Sequence, residues 1–512
     1  MIRATRNLRR LLHIARVLAR HDALFLLEEA FPASRIGAAI LRGGRASVSQ
    51  GRPGERLANA LSELGPTFIK LGQALSTRAD LLGEQMAADL SQLQDKLPPF
   101  PAAEARRIIA EELAAPVESL YQSFDDVPVA AASIAQVHFA VTADGREVAV
   151  KILRPGVEEA FRRDIDLLRW LSEWAELTQK RLRRLKPVES VKTFEDSVAI
   201  EMDLRFEAAA AAELAENFRG DESFKVPAVD WVRTGRRVMT LERVAGIPVD
   251  ERERLIEAGF EPDAILGKAA EAFFNQVFRD GFFHADMHPG NLFVDCTGNL
   301  VAVDFGIMGR VDQRTRRFLG EMLIGFLSGN YRKVAEVHFE AGYVPADQSV
   351  DAFTQACRSI AEPILGRPMH EISIARLLGQ LFQVTETFEM ETQPQLLLLQ
   401  KSMLVAEGVG RSLDPRINMW QLAQPLIEGW MRANLGPEAK VRDAFTTVVG
   451  SLERLPRLLA ETEKTYSMLV NGGLKLHPDT IKDIVSGRRQ RGLPGWLPWL
   501  LAAVLGVLLV LK

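Results

Sequence analysis

An α+β fold, with a small mixed lobe followed by a larger helical lobe, is predicted for this 512-residue chain. Three short segments carry the prediction. Val148–Lys151 reads Val-Ala-Val-Lys, an apolar strand that ends in a lysine. His284–Asn291 reads His-Ala-Asp-Met-His-Pro-Gly-Asn, and Val303–Gly306 reads Val-Asp-Phe-Gly. Each alone is a weak signal. In this order and at this spacing they specify a protein-kinase-like two-lobed fold. Composition agrees with a packed core, since 25% of residues are charged and 47% hydrophobic.

The elements follow in chain order. In the first 20 residues, Arg3, Arg6, Arg9, Arg10, Arg16 and Arg20 interleave with Leu8, Leu11, Leu12, Ile14, Val17 and Leu18. No uninterrupted apolar core of a secretory signal is present, and the pattern is a basic amphipathic helix. Such a helix either packs on the body or meets an anionic membrane. Residues 1–105 read as a helical N-terminal extension. Residues 106–246 read as the small lobe with a helical insertion. Its hairpin runs from Phe139–Thr142 through Ala143–Arg146 to Val148–Leu153, with Asp-Gly supplying the turn. Residues 156–218 are helical with a break at Pro187, and Val226–Val244 returns to strand with a turn at Gly235. Residues 247–485 form the helical lobe and its extension, with short strands at Leu292–Val294 and Leu300–Val303.

Residues 486–512 read as a C-terminal membrane helix. Trp496–Leu511 is apolar throughout, Arg488, Arg489 and Arg491 precede it, and Lys512 follows. A span needs about 20 residues, so the stretch is slightly short unless Leu493–Gly495 extends it. Trp496 and Trp499 suit the interface, and the arginines suit the cytoplasmic side. A net charge of −4 argues against a general nucleic-acid binder. The two cysteines, Cys296 and Cys357, allow no metal-thiolate cluster, and a reducing compartment fits. Cys296, in a strand-turn context, is expected to serve packing.

The chemistry expected of the segments is phosphoryl transfer. A strand lysine such as Lys151 neutralises the α- and β-phosphates of ATP and is held by a helix glutamate. Glu207 is the candidate. Asp203 lies four residues before Glu207 and shares its helix face, while Glu201 can pair with Arg205. The long gap from Lys151 to Glu207 requires an insertion. Asp286, five residues before Asn291, is placed to accept the proton of an attacking hydroxyl or water. Asn291 and Asp304 supply the oxygens for Mg2+. Ala285 replaces the arginine that would pair with a phosphorylated activation loop, so that switch is not expected. The phosphate-covering loop has no Gly-x-Gly-x-x-Gly. Ala130-Ala131-Ala132-Ser133-Ile134-Ala135-Gln136-Val137 stands there instead, and alanine restricts both positive φ and close backbone approach. The plainer alternative is that this stretch starts a helix. Lys70 and Gln73 share a helix face, with Gly72 allowing close packing; composition alone would leave them as solvent-facing residues.

Phe68-Ile-Lys70-Leu-Gly72-Gln73, Ala130–Ser133, Glu201-Met-Asp203, His284–Asn291 and Asp304–Gly306 together resemble the UbiB family of atypical kinase-like proteins of ubiquinone biosynthesis. The motifs span about residues 55–310. The resemblance implies that the Lys70 helix covers the site where a protein kinase admits peptide, with Lys70 near Glu201 and Asp203. It implies a Lys151–Glu207 pair and a hinge at Glu242–Val244 that meets adenine. It further implies an ATPase or small-molecule phosphotransferase, with ATP and Mg2+, at the bacterial inner membrane with its body in the cytoplasm. Implied partners are membrane lipids, isoprenoid quinone precursors and other quinone-biosynthesis enzymes, with a homodimer left open. Two rivals stand beside it: a nucleotide-sensing scaffold and a small-molecule kinase. A hydroxylase finds no support, because neither a dinucleotide fingerprint nor an oxygen-activating ligand cluster is present.

Overall fold

A computed structural model describes residues 2–24, 51–76, 83–178, 187–363 and 384–413, apart from a few positions within these ranges, and isolated positions as far as 432. The expected membrane helix at 486–512 lies outside the described residues. Among the described residues no helix is long and apolar enough to cross a membrane.

The N-terminal extension is helical, as its periodicity requires. It comprises α1 (Ile2–Arg20), α2 (Pro53–Leu64), α3 (Pro66–Ser76) and α4 (Glu84–Ser91). The apolar stripe of α1 is largely used for packing: Ile14, Val17 and Leu18 join Leu57, Leu61, Phe68, Ile69 and Leu90 in one cluster. Two of its arginines reach acidic partners on the body, with Arg10 Nε 2.8 Å from the buried Asp164 and Arg6 2.6 Å from Asp166. α1 thus packs on the body and leaves Leu8 and Leu12 exposed on its outer side. Gly72 permits the close packing expected of it: a Cβ there would sit 2.7 Å from Leu61 and 2.8 Å from Leu93.

The small lobe starts with α5 (Ala102–Leu113) and α6 (Val117–Leu120), so the expected boundary at 105 falls within a helix. Its strands are β1 (Tyr121–Phe124), β2 (Ala130–Ala131), β3 (Ala135–Thr142), β4 (Glu147–Leu153) and, after the helices, β6 (Val238–Glu242). They form an antiparallel sheet of order β1-β3-β4-β6, with β2 added to β3. Strand period two sorts the side chains. Ala140, Val148, Val150 and Ile152 pack against Ile108 and Ile109 of α5. Ala149 and Lys151, on the other face, are only half-buried. The insertion is α7 (Val157–Thr178) and α8 (Pro187–Glu201), followed by α9 (Leu204–Asn217).

The second lobe holds β5 (Phe224–Lys225), β7 (Ile247–Pro248), α10 (Arg252–Glu257) and α11 (Pro262–Phe274), which runs into a π-turn at Asn275–Asp280. Then come β8 (Phe282–His284), β9 (Leu292–Val294), β10 (Leu300–Ala302), β11 (Met308–Arg310), α12 (Gln313–Leu327), α13 (Tyr331–Glu340), α14 (Val350–Ala361) and α15 (Pro394–Leu413). One sheet has the order β5-β10-β9-β7, and β8 pairs antiparallel with β11. The strand pair expected over Val226–Val244 with its turn at Gly235 is reduced to β6, preceded by a 3-10 turn at Trp231–Arg233. Asp230 caps that turn by accepting from the Arg233 amide, and this local bond wins over pairing. Cys296 is exposed, which corrects the expectation that it packs, while Cys357 is buried.

Candidate active site

Lys151 emerges on β4, opposite Val137 on one side and Met239 on the other. The half-buried sheet face directs its side chain toward α9. There the ammonium lies 2.7 Å from Glu207 Oε1 and 2.8 Å from Asp304 Oδ1. α9 comes close because Leu204, Ala208 and Ala211 are buried and small residues keep the helix near its neighbours. Burial alone would lower the Lys151 pKa; the charges of Asp304 and Glu207 outweigh it and hold the ammonium well above its usual range. Burial drives the Glu207 carboxyl up, to about 7, against the pull of Lys151. The Lys151 charge holds Asp304 well below the ordinary carboxylate range. Asp304 also takes φ +62°, a left-handed conformation rare for a residue with a Cβ. Such strain persists only where surrounding contacts over-determine it.

The catalytic-type loop is held from within. The His284 ring is buried; its Nδ1 accepts from the Asp286 amide at 3.1 Å, and its Nε2–H donates to the Val303 carbonyl at 3.2 Å. Burial pushes this ring below its ordinary pKa, and the neutral tautomer satisfies both bonds. Asn291 donates from Nδ2 to the Asp286 carbonyl at 3.0 Å, and its own carbonyl accepts from the Val303 amide. His284, Asp286, Asn291 and Asp304 are therefore linked through one stretch of backbone. Asp286 Oδ1 has a partner that sequence reasoning missed, Lys401 Nζ of α15 at 3.1 Å. Nothing in the local pattern of α15 singles this lysine out; only the packing of a helix more than a hundred residues away brings it there.

The alanine-rich loop does not start a helix. Ala130 and Ala131 form β2, paired with Val137 and Gln136, and Ala132–Ile134 turns into β3. Arg154 pins the turn, donating to the Ala132 carbonyl at 2.8 Å and also to the carbonyls of Pro98 and Leu97. Ser133 is fully buried in it.

Lys70 of α3 lies 2.7 Å from Glu201 Oε2, both side chains mostly buried. Two local expectations change. Asp203 is the cap of α9 and lies outside its helical face, because the chain breaks at Met202; its carboxylate accepts from the Arg205 amide. Arg205 pairs with Asp203 at 2.6 Å, and Glu201 is taken by Lys70. Gln73, half-buried one turn beyond Lys70, accepts at its carbonyl from the Ser76 hydroxyl. Glu242 and Val244 line a cavity of about 420 Å³ with Phe218, Phe224, Lys225 and Asp295. That cavity is bounded by the end of α9 and by β5, and Lys151 does not line it.

Asn291 and Asp304 offer hard oxygen donors and few of them. That set suits Mg2+, which takes one or two protein oxygens and completes its shell from phosphates and water. Among the described residues no cluster of three His, Cys, Asp or Glu could hold a metal by itself.

Comparison with known proteins agrees with the kinase-like fold. The ABC1 atypical kinase-like domain matches residues 92–338, and the UbiB helical domain matches residues 357–418. A Marinobacter nauticus protein named "Probable protein kinase UbiB" is 43% identical over 409 residues, covering 79% of this chain and 75% of that one. A Pseudomonas paraeruginosa protein of the same name is 42% identical over 471 residues, covering 90% and 88%. Among solved structures, the complex of Rv3197 and erythromycin from Mycobacterium tuberculosis aligns with a TM-score of 0.51 at 27% identity. It covers 72% of this chain and 93% of that one. The chain belongs to the UbiB family of ABC1 atypical kinase-like proteins.

Proposed function

We propose that this protein is an ATPase or phosphotransferase that supports ubiquinone synthesis at the bacterial inner membrane and acts on or near a lipid precursor. One observation carries the phosphotransfer reading: Lys151 bridges Glu207 and Asp304 at 2.7 and 2.8 Å, in the order of parts a kinase-like site requires. The ubiquinone role rests on the name its relatives carry. The membrane location rests on the apolar Trp496–Leu511 stretch.

Bound ATP–Mg2+, held by Lys151, Asn291 and Asp304, would supply the activated phosphoryl group. The residues of the chain do the rest. Glu207 keeps the Lys151 ammonium directed at the phosphates. His284 fixes the loop, and the Asp286 carboxylate accepts the proton of the attacking hydroxyl or water. Ala130–Ser133 and Val137 border the nucleotide, and Glu242–Val244 serves as the hinge. Lys70, Gln73, Glu201 and Asp203 form a cover that restricts peptide access, so a small or lipid acceptor is favoured over a protein. Release of the Lys70–Glu201 pair opens that cover.

The test is ATP hydrolysis by the full chain in liposomes, with and without a phenolic quinone-precursor analogue. Asp286→Asn is expected to lower turnover by about 10²-fold or more. Lys70→Ala is expected to raise turnover in the absence of precursor. Tight ATP binding without turnover in any condition would replace this reading with a nucleotide-sensing scaffold.

A further inference from the structure

The loop that holds Asp286 carries no lysine or arginine between His284 and Asn291. The one imidazole within it, His288, is exposed and turned to the Gly290 amide, from which its Nδ1 accepts at 3.1 Å. A cation nevertheless stands beside Asp286. Lys401 Nζ lies 3.1 Å from Oδ1, with 34% of the lysine side chain and 26% of the aspartate side chain exposed. It comes from α15, within the segment 357–418 matched by the UbiB helical domain, beyond the kinase-like match that ends at residue 338.

α15 is anchored well enough to aim a side chain. Leu399, Val409 and Leu413 are buried in the main cluster of the second lobe, together with Phe278, Phe283 and Met287. Ser402, next to Lys401, is fully buried, and Arg252 Nε donates to the Leu413 carbonyl at 2.8 Å, closing the C-terminal end of the helix. The backbone of Asp286 is fixed separately, by His284 at its amide and Asn291 at its carbonyl. The backbone bonds leave the carboxylate free to rotate. The Lys401 bond removes that freedom, occupying Oδ1 and leaving Oδ2 for the acceptor.

We infer that Lys401 is the positioning residue of the Asp286 carboxylate, so that the helical domain completes a site the kinase-like domain leaves unfinished. This rests on the phosphotransfer reading. In the step concerned, the acceptor oxygen bonds to the γ-phosphorus as the bond from that phosphorus to the bridging oxygen breaks. The acceptor proton passes to Asp286 Oδ2, and ADP leaves. Lys401 holds Oδ2 toward that proton; a misplacement of about 1 Å at such a step can cost about 10²-fold in rate. The plain alternative is a half-exposed ion pair with little effect on anything.

The experiment is a double-mutant cycle on the full chain in liposomes: wild type, Lys401→Met, Asp286→Asn and the double variant, with Lys401→Arg as the conservative control. Turnover, nucleotide affinity and the thermal midpoint are read for each. The expected result is a kcat about 10²-fold lower in Lys401→Met with nucleotide affinity unchanged, and partial recovery in Lys401→Arg. The double variant is expected to be no slower than Asp286→Asn alone, because residues that act as a unit are not additive. Wild-type turnover in Lys401→Met, multiplied losses in the double variant, or a joint fall of affinity and thermal midpoint would each overturn the inference. If wild-type turnover does not depend on Asp286, the phosphotransfer reading falls and this inference falls with it. If it does depend on Asp286 but not on Lys401, only this inference falls.

Discussion

Lys151 balances two carboxylates that would otherwise repel each other. Glu207 is 9% exposed and Asp304 51% exposed, so the first depends on the ammonium far more than the second. Removing one partner of a fully buried pair costs about 3–5 kcal/mol because a charge is left without compensation. Here water screens Asp304, and Lys151→Met is expected to cost about 2 kcal/mol. Adding Glu207→Gln should recover part of that loss, since it removes the stranded charge. Urea unfolding of the two variants checks this; equal stability of Lys151→Met and wild type would show that the pair contributes nothing to folding. The pairing of Lys151 with Glu207 was legible from the strand lysine and the helix glutamate. The swap of partners between Glu201 and Asp203 was not, because it depends on a helix break at Met202.

At the scale of elements, turns and helix ends decide how the loop of Asp286 is presented. The π-turn at Asn275–Asp280 ends at Gly281, which has φ +68° and leads straight into β8. A Cβ at this position would lie 2.4 Å from the Val311 carbonyl oxygen, a backbone atom that cannot swing away. Gly281→Ala therefore combines a left-handed penalty with a steric one, together about 2–4 kcal/mol. A urea midpoint unchanged from wild type would count against this account. The sequence reading placed no strand at Phe282–His284, because three residues carry too little periodicity to declare one. Pairing with Met308–Arg310 makes it one.

For the whole molecule, acid sensitivity reports on both lobes. His138 in the small lobe and His338 in the second are pushed below the ordinary 6.5 by burial. The His138 Nδ1–H donates to the Asp125 carbonyl at 2.7 Å while Nε2 accepts from Gln136 at 2.7 Å, and the His338 Nδ1–H donates to the Val334 carbonyl at 2.8 Å. Above pH 6.5 each ring is neutral in both folded and unfolded chains. Below it the unfolded chain binds protons that the folded one refuses, so stability falls as pH falls until the folded rings titrate. The slope is about 1.4 kcal/mol per pH unit for each histidine. His284 acts in the same direction, while Glu207, raised to about 7, takes up a proton on folding and offsets one ring, so urea midpoints measured from about pH 7 to about pH 5.5 should fall, and His338→Asn should flatten the slope by about one proton. A slope identical in that variant would remove His338 from the account.

Sequence alone determined the order of parts: a strand lysine, a helix glutamate, the Asp286–Asn291 loop and Asp304 at kinase-like spacing. It could do so because these are local motifs whose spacing follows from short strands and turns. The same local logic indicated the helical insertion and the close approach at Gly72. Only the tertiary structure decided which groups meet across the chain. Arg154 ties Leu97 and Pro98 to the alanine-rich turn, and Lys401 reaches Asp286. Each of these contacts joins elements far apart in sequence, where hydrophobic burial sets the approach and no local pattern records the partner.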